Sequence, residues 1–166
     1  MSEDFKVVEG NADAAINIMG EVAQWGRSVG FNIWKEEVLA KEKLLEHARE
    51  EEFCIGQVLG ENACCMILQW EDKLFWPKAK RNEAGYVHKL CVRRKYAGQR
   101  LSAKMVEFAI EECRKRNIDY LRLDTRWVNT RLCKLYKSLG FEIVDKFLLD
   151  GGEAFALFEM KLTSLK

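Results

Sequence analysis

The stretch from Gly85 to Ala109 constrains the fold more than any other part of the chain. It begins with Tyr86–Val92, an apolar run rich in β-branched and aromatic side chains that is typical of a buried strand. A basic, glycine-containing segment, Arg93–Arg100, follows. From Leu101 onward, apolar side chains recur every three to four residues, which is the period of an amphipathic helix. The stretch therefore predicts a strand, a short loop and the start of a helix.

The loop has the features of an anion-binding site. The first turn of a helix carries unpaired backbone N–H groups and the positive end of the helix dipole. Cations at that end are each unfavourable by about 0.3–1 kcal/mol. Four of them are present: Arg93, Arg94, Lys95 and Arg100. They favour a bound anion, although the same residues are also compatible with a solvated basic turn that binds nothing.

Composition limits the classes of function. The 166 residues fit one ordinary domain, and we expect residues 1–166 to form it. The net charge is +1, from 27 basic and 26 acidic residues, so no global field attracts nucleic acid or an anionic membrane. No apolar run has the length of a membrane span, and the start, Met1–Asp4, is acidic and polar, unlike a secretory signal. We therefore expect a cytoplasmic protein without nucleic-acid or membrane partners.

The cysteines and histidines give no sequence pattern for a metal centre. None of the six cysteines forms a C-x-x-C spacing, and most lie in apolar segments, which predicts buried free thiols. The two histidines, His47 and His88, are far apart in the sequence. We therefore expect no metal and no Cys/His nucleophile pair, and we expect His47 to be solvated.

Periodicity and turn residues predict seven strands and four helices. The strands are Phe5–Val8, Phe53–Leu59, Ala63–Trp70, Tyr86–Val92, Tyr120–Asp124, Phe141–Leu148 and Ala154–Leu162. The helices follow Asn11 or Asp13, run from roughly Ile33 to Arg49, begin near Leu101, and cover Asn129–Ser138. Trp25–Phe31 is predicted as a flexible break and Glu71–Glu83 as a loop.

These elements predict an α/β (α+β) fold. Two hairpins, across Gly60–Asn62 and Asp150–Gly152, require antiparallel neighbours. The strand–helix–strand unit that begins at Tyr86 requires a parallel pair joined by a right-handed crossover. The result is a mixed, mainly antiparallel central sheet flanked by helices on both faces. Ligands favour the carboxyl ends of parallel strands in such sheets, which is where the basic loop lies.

The order of the strands and helices, together with the basic loop, resembles that of the GNAT superfamily of acetyl-CoA-dependent N-acyltransferases. In that family, the fourth strand leads into a loop of pattern Q/R-x-x-G-x-G/A, whose backbone amides bind the pyrophosphate of CoA. The segment over this pattern is Ala97, Gly98, Gln99, Arg100, Leu101 and Ser102. Ala97 replaces the leading Arg/Gln, Arg100 the first glycine and Ser102 the final Gly/Ala. A second register, Lys95–Arg100, keeps a basic residue first, but only the first register preserves the strand-to-helix distances.

A second segment resembles the family's N-x-x-x-x-x-x-Y-x-x-x-G-F pattern. The matching residues are Asn129, Leu132, Leu135, Tyr136, Leu139, Gly140 and Phe141. The resemblance implies that Asn129 contacts the pantetheine or phosphate arm and that Tyr136 lies near the thioester sulfur as a general acid. Without a ligand, Asn129 would serve as an N-cap and Tyr136 as a core residue.

The resemblance also implies a mechanism of direct transfer from acetyl-CoA to an amine. Leu90 and Val92 align with strand positions whose backbone groups bind the pantetheine and the acetyl carbonyl, and the implied N–H donor lies in the Cys91 or Val92 region. A fixed N–H there stabilises the negative charge that develops on the thioester oxygen as the amine attacks. A base removes the proton of the amine, and the candidates are His88 and Glu83, although His88 also fits a core position. Cys91 itself is expected to be a buried thiol.

Several alternatives remain open at this level. The acceptor is expected to be a small-molecule amine or a protein amine, and the resemblance allows a homodimer. Arg100 at a glycine position favours a CoA-binding module that has lost catalysis. A phosphate-binding or nucleic-acid-binding module is a third class, but the chain lacks the G-K-[ST] ending of a P-loop and aromatic residues interleaved with the basic cluster.

Overall fold

A computed structural model describes residues 4–162 of the protein, so the starting residues 1–3 lie outside it. The described strands are β1 (Phe5–Glu9), β2 (Phe53–Val58), β3 (Glu61–Gln69), β4 (Ala84–Val92), β5 (Tyr120–Arg126), β6 (Glu142–Leu148) and β7 (Ala154–Lys161). The α-helices are α1 (Ala12–Ser28), α2 (Lys41–Leu45), α3 (Leu101–Lys115) and α4 (Thr130–Ser138). Three 3₁₀ turns cover Glu36–Leu39, Glu50–Glu52 and Arg94–Tyr96.

The strands form one sheet in the order β1-β2-β3-β4-β5-β7-β6. The pairs β1–β2, β2–β3, β5–β7 and β6–β7 are antiparallel, whereas β4 and β5 are parallel. Seven strands, the parallel pair and both hairpins agree with the sequence analysis. The predicted α/β class with a mixed, mainly antiparallel sheet is confirmed.

Contacts within the chain fall into two compact units. Unit 1 contains the residues up to Leu68 together with Lys89–Met105, and unit 2 contains Gln69–His88 together with the residues from Val106. The boundary crosses β4 next to Lys89, whose φ of +56° departs from the extended conformation of a strand.

In unit 1, α1 packs its apolar face against β2. Asn11 caps the helix, because its side-chain oxygen accepts a hydrogen bond from Ala14 N at 3.0 Å. The buried residues of this core include Ala15, Ile18, Met19, Val22, Phe53, Ile55 and Ile67. The spacing of the α1 residues in that list is the three-to-four-residue period that the sequence showed.

In unit 2, the core surrounds β5 and the β6–β7 hairpin. Leu121, Leu123 and Phe158 are each at most 3% exposed. Gly85 lies so close to its neighbours that an added Cβ would be 2.8 Å from Cys113 Sγ and 3.0 Å from the Trp70 ring. This position therefore accepts only glycine without movement of the surrounding side chains.

Two predictions about the N-terminal half are wrong. Trp25–Phe31 is not a flexible break, because α1 continues to Ser28 with Gly26 buried in its interior face. The predicted helix from Ile33 to Arg49 is interrupted at Ala40, which is extended between a 3₁₀ turn and the five-residue α2.

The interruption follows from which apolar side chains are buried. Leu39 and Leu44 are 7% and 8% exposed, whereas Val38 and Leu45 are 43% and 38% exposed. A continuous helix from Ile33 to Arg49 with Trp34, Val38, Leu45 and Ala48 as its apolar side chains would have buried the second pair.

The β2–β3 turn is also shorter than predicted. It consists of Leu59 and Gly60, with φ of +50° and +81°, while Glu61 and Asn62 already belong to β3. Positive φ at both central residues is the conformation that favours a tight hairpin.

The cysteines agree with the sequence analysis. All six cysteines are free thiols, and five of them are buried. Within residues 4–162, none of the helices combines the length and the apolar character needed to cross a membrane.

Two glycine-to-alanine substitutions should have opposite effects on stability. Gly85→Ala should lower the free energy of unfolding by about 1–3 kcal/mol, because its Cβ overlaps Cys113 and Trp70. Gly20→Ala should raise it by about 0.5–1 kcal/mol, because Gly20 lies inside α1 with nothing within 4 Å of the new methyl group. Urea unfolding of both variants measures this, and a neutral Gly85→Ala would contradict the packing described.

Candidate functional site

In unit 1, the loop between β4 and α3 has two left-handed residues. Gly98 has a φ of +83° and Arg100 a φ of +59°, and residues 97–100 are exposed. A left-handed φ is common for glycine and rare for arginine. Arg100, which the first register aligns with the first motif glycine, therefore has a backbone conformation that is more common for glycine.

Some of the basic side chains of this loop already have partners within the chain. Arg93 Nε donates to Glu21 Oε2 at 2.8 Å, and Lys95 Nζ donates to Glu61 Oε1 at 3.0 Å. Arg94 lies over the Trp25 ring, with its Cζ 4.1 Å from the centroid.

The loop therefore carries less unbalanced positive charge than its four cations suggest. Two have carboxylate partners on α1 and β3 that the sequence did not reveal. Within residues 4–162, Arg94 and Arg100 take part in no ion pair, so these two remain the cations best able to meet a ligand.

The first turn of α3 provides backbone donors beside them. Lys104 N donates to Arg100 O at 3.2 Å, which begins the helical ladder. By helix geometry, the N–H groups of Leu101, Ser102 and Ala103 have no acceptor within the helix, and no acidic side chain lies in this turn. Amides, the helix dipole and two arginines together give the loop the capacity to hold a diphosphate.

The remaining residues predicted to bind the cofactor in unit 1 lie at the end of β4. The side chains of Leu90 and Cys91 are 9% and 7% exposed, and Val92 is half-buried. Cys91 Sγ lies 3.6 Å from Cys65 Sγ, which agrees with a buried thiol. A ligand would meet the backbone of this segment, and that role stays a prediction.

In unit 2, the parallel register of β4 and β5 places His88 beside Asp124. Tyr86 pairs with Arg122 and Val87 with Leu123, so His88 and Asp124 are the next residues along the two strands. His88 Nδ1 lies 3.6 Å from Asp124 Oδ1, and His88 Nε2 lies 3.4 Å from Asp72 Oδ2. The imidazole thus lies between two carboxylates.

Asp72 was missed by the sequence analysis and is fixed by a turn in the loop before β4. Its Oδ1 accepts from Phe75 N at 3.1 Å, and its carbonyl accepts from Trp76 N at 3.0 Å. The Phe75 ring packs against Phe147 and Phe155, with centroids 5.1 and 5.0 Å away. An aspartate that starts a turn is common, so nothing in the sequence pairs Asp72 with His88.

Arg122, also missed, connects the same loop to the sheet. It donates to Glu83 Oε2 at 2.7 Å, to Glu159 Oε2 at 2.9 Å and to Tyr86 Oη at 3.1 Å. Its Cζ lies 4.2 Å from the centroid of the Trp76 ring. The guanidinium lowers the pKa of Glu83, which therefore stays an ionised partner of Arg122 and is a poor candidate for the base.

On α4, the two motif residues have structural partners. Asn129 caps the helix, because its Oδ1 accepts from Leu132 N at 3.2 Å. Tyr136 is 6% exposed, and its ring meets Phe158 and Phe141 edge-on at 5.5 and 6.4 Å. These contacts account for both residues without a ligand, and their roles toward CoA stay predictions.

Comparisons with known proteins agree on one family. The family whose model matches residues 19–141 is described as "Acetyltransferase (GNAT) family". N-alpha-acetyltransferase 30 of Saccharomyces cerevisiae is 32% identical over 76 residues, which is 44% of this chain and 43% of that protein. The chain thus spans less than half of the yeast protein.

Two longer similarities cover nearly the whole chain. The uncharacterized N-acetyltransferase YesJ of Bacillus subtilis is 24% identical over 93% of this chain and 87% of its own. The crystal structure of PaiA N-acetyltransferase from Thermoplasma acidophilum, in complex with coenzyme A, superposes with a TM-score of 0.67 at 18% identity. That alignment covers 97% of this chain and 99% of the other, and it shows a shared fold.

The Glu83–Arg122 ion pair should make stability depend on pH. Arg122 lowers the pKa of Glu83 below its ordinary value of 4.5, so the stabilisation is complete above that pH and is lost as the pH falls through the lower folded value. Glu83→Gln should cost about 1–3 kcal/mol at neutral pH, because buried Arg122 loses a charged acceptor.

The variant should also lose part of the acid dependence. Urea unfolding in steps below about pH 4.5 should show a shallower decline for Glu83→Gln than for the wild type or for Glu37→Gln, which changes an exposed carboxylate. Parallel declines in all three proteins would show that the ion pair contributes nothing.

Proposed function

Because the chain belongs to the GNAT acetyltransferase family, we propose that it transfers the acetyl group of acetyl-CoA to a primary amine in a ternary complex. The family match confirms the predicted superfamily and the class of enzyme, an acyltransferase. The observation that carries the proposal for the cofactor is the loop before α3, where Gly98 and Arg100 have positive φ beside the free amides of the helix.

The proposed cofactor site uses the backbone of residues 97–102. Their amides and the dipole of α3 would hold the diphosphate, with Arg94 and Arg100 as charged partners. Backbone N–H groups at Leu90–Val92 would bind the pantetheine and the thioester oxygen, and Asn129 would contact the pantetheine or phosphate arm. The PaiA enzyme, which shares the fold, was solved with coenzyme A.

The proposed base is His88. A neutral amine attacks the thioester carbon, a C–N bond forms, and the proton of the amine moves to the imidazole. Asp72 and Asp124, 3.4 and 3.6 Å from its nitrogens, stabilise the imidazolium that results. The C–S bond then breaks, and the hydroxyl of Tyr136 protonates the departing thiolate. The acceptor is a small-molecule or protein amine.

A catalytically silent CoA-binding module is the second candidate. One observation favours it: Arg100 places a long side chain where the motif has glycine, in the exposed loop that would meet the phosphates. In that case acetyl-CoA would bind without transfer to any amine.

Thermal unfolding with acetyl-CoA, followed by an amine panel, separates these functions. Acetyl-CoA at about one hundred times its dissociation constant should add about 2.7 kcal/mol to the free energy of unfolding. An active enzyme should then release free CoA thiol with at least one amine. A shift without thiol release would favour the silent module, and no shift would reject both.

Two variants test the assigned acid and base. Tyr136→Phe and His88→Gln should each lower turnover by roughly 10²–10⁴-fold with little change in the affinity for acetyl-CoA. His47→Gln is the matched control, because His47 is the other histidine of the chain and its side chain is 85% exposed. Turnover that equals the wild type in either variant would reject the role assigned to that residue.

A further inference from the structure

The side chains around His88 contain the donors of a metal site. One ligand atom from each of Asp72, His88 and Asp124 lies within 4.8 Å of the other two. Their side chains are 7%, 21% and 13% exposed. We propose that these three residues bind a divalent transition-metal cation such as Zn²⁺, in competition with the proton that His88 takes up during acetyl transfer.

The distance between His88 Nε2 and Asp72 Oδ2 fits shared coordination of one ion better than a hydrogen bond. An N–H···O hydrogen bond spans about 2.7–3.2 Å, whereas these two atoms are 3.4 Å apart. Asp124 Oδ1 lies 3.6 Å from the other ring nitrogen, Nδ1. Zinc bonds of about 2.0–2.2 Å in a tetrahedron place neighbouring ligand atoms about 3.3–3.6 Å apart. The ion would use one ring nitrogen, and rotation of the second carboxylate would complete the set.

Asp72 provides the independent sign that a ligand is needed. Its side chain is more than nine-tenths buried, and within residues 4–162 its Oδ2, which faces His88 Nε2, has no hydrogen-bond partner. Burial of a carboxylate oxygen without a donor is costly. A cation between Oδ2 and the imidazole would offset that cost.

The three ligands are held by rigid parts of unit 2. His88 and Asp124 lie on paired strands, and the Phe75 hydrogen bond fixes the carboxylate of Asp72. Oxygen and imidazole donors suit first-row divalent ions, and among them Zn²⁺ accepts three protein ligands with a fourth position open to water. The partly exposed His88 leaves a path from solvent.

Metal binding would inhibit the transfer proposed above, and only this consequence rests on the proposed function. The imidazole nitrogen that binds Zn²⁺ cannot accept the proton of the attacking amine. Zinc should therefore lower turnover, and a chelator should restore it.

Calorimetric titration of the full chain without an affinity tag tests the site with Zn²⁺ as the probe. We expect one tight site per chain, weakened at least tenfold by Asp72→Asn and by Asp124→Asn. Co²⁺ should give the visible absorption of a tetrahedral ion, and both variants should lose it. His47→Gln and Cys133→Ser are the controls for the exposed histidine and the least buried thiol, and should leave binding unchanged.

The wild-type protein gives a readout that needs no aspartate variant. With only two histidines, the side-chain nuclear magnetic resonance signals of His88 can be identified by comparison with His47→Gln, and Zn²⁺ should shift those of His88 alone. Affinity unchanged by both aspartate substitutions, or Zn²⁺ shifts confined to His47, would overturn the proposal.

The binding measurements are independent of acetyl transfer. Zinc binding at His88 in a chain that transfers no acetyl group would sustain the site and reject the enzyme function. If the chain transfers acetyl groups and Zn²⁺ neither changes the turnover nor shifts the His88 signals, the enzyme function would be sustained and the metal site rejected.

Discussion

The parallel pairing of β4 with β5 is the constraint from which the functional features follow. A tight hairpin cannot join parallel strands, so the chain must leave β4 through a loop and return through a helix. That requirement creates the loop with Gly98 and Arg100 and the free amides at the start of α3. The register of the same pairing places Tyr86 beside Arg122 and His88 beside Asp124.

The charged groups around Arg122 and around His88, which lie near each other on this pair of strands, are satisfied to different extents. Arg122 is surrounded by two carboxylates, a phenol and an indole ring, and its hydrogen bonds are made. This arrangement fits a structural role that connects the loop before β4 to the sheet. Around His88, two carboxylates instead face one imidazole, and within residues 4–162 the buried Oδ2 of Asp72 has no hydrogen-bond partner. That oxygen can bind a cation or stabilise a protonated His88, which is why the proposals concern this group and not Arg122.

Local patterns in the sequence predicted the elements, while contacts across the chain decided the details. The strands, the caps Asn11 and Asn129 and the motif spacing follow from neighbouring residues, and all could be read directly. The break at Ala40 could not, because it depends on whether Leu44 or Leu45 meets the core. Asp72 lies 16 residues before His88, and Asp124 lies 36 residues after it. Only the folded strands and the Asp72 turn bring these three together, so no motif spacing could reveal them.

The central claim is that the amides at the start of α3 hold the diphosphate of acetyl-CoA. A crystal structure of the protein with coenzyme A tests it most directly. We predict diphosphate oxygens within hydrogen-bond distance of backbone nitrogens between Gly98 and Ser102, with Arg94 or Arg100 contacting the same group. A complex in which coenzyme A binds elsewhere and this turn meets only solvent would contradict the claim.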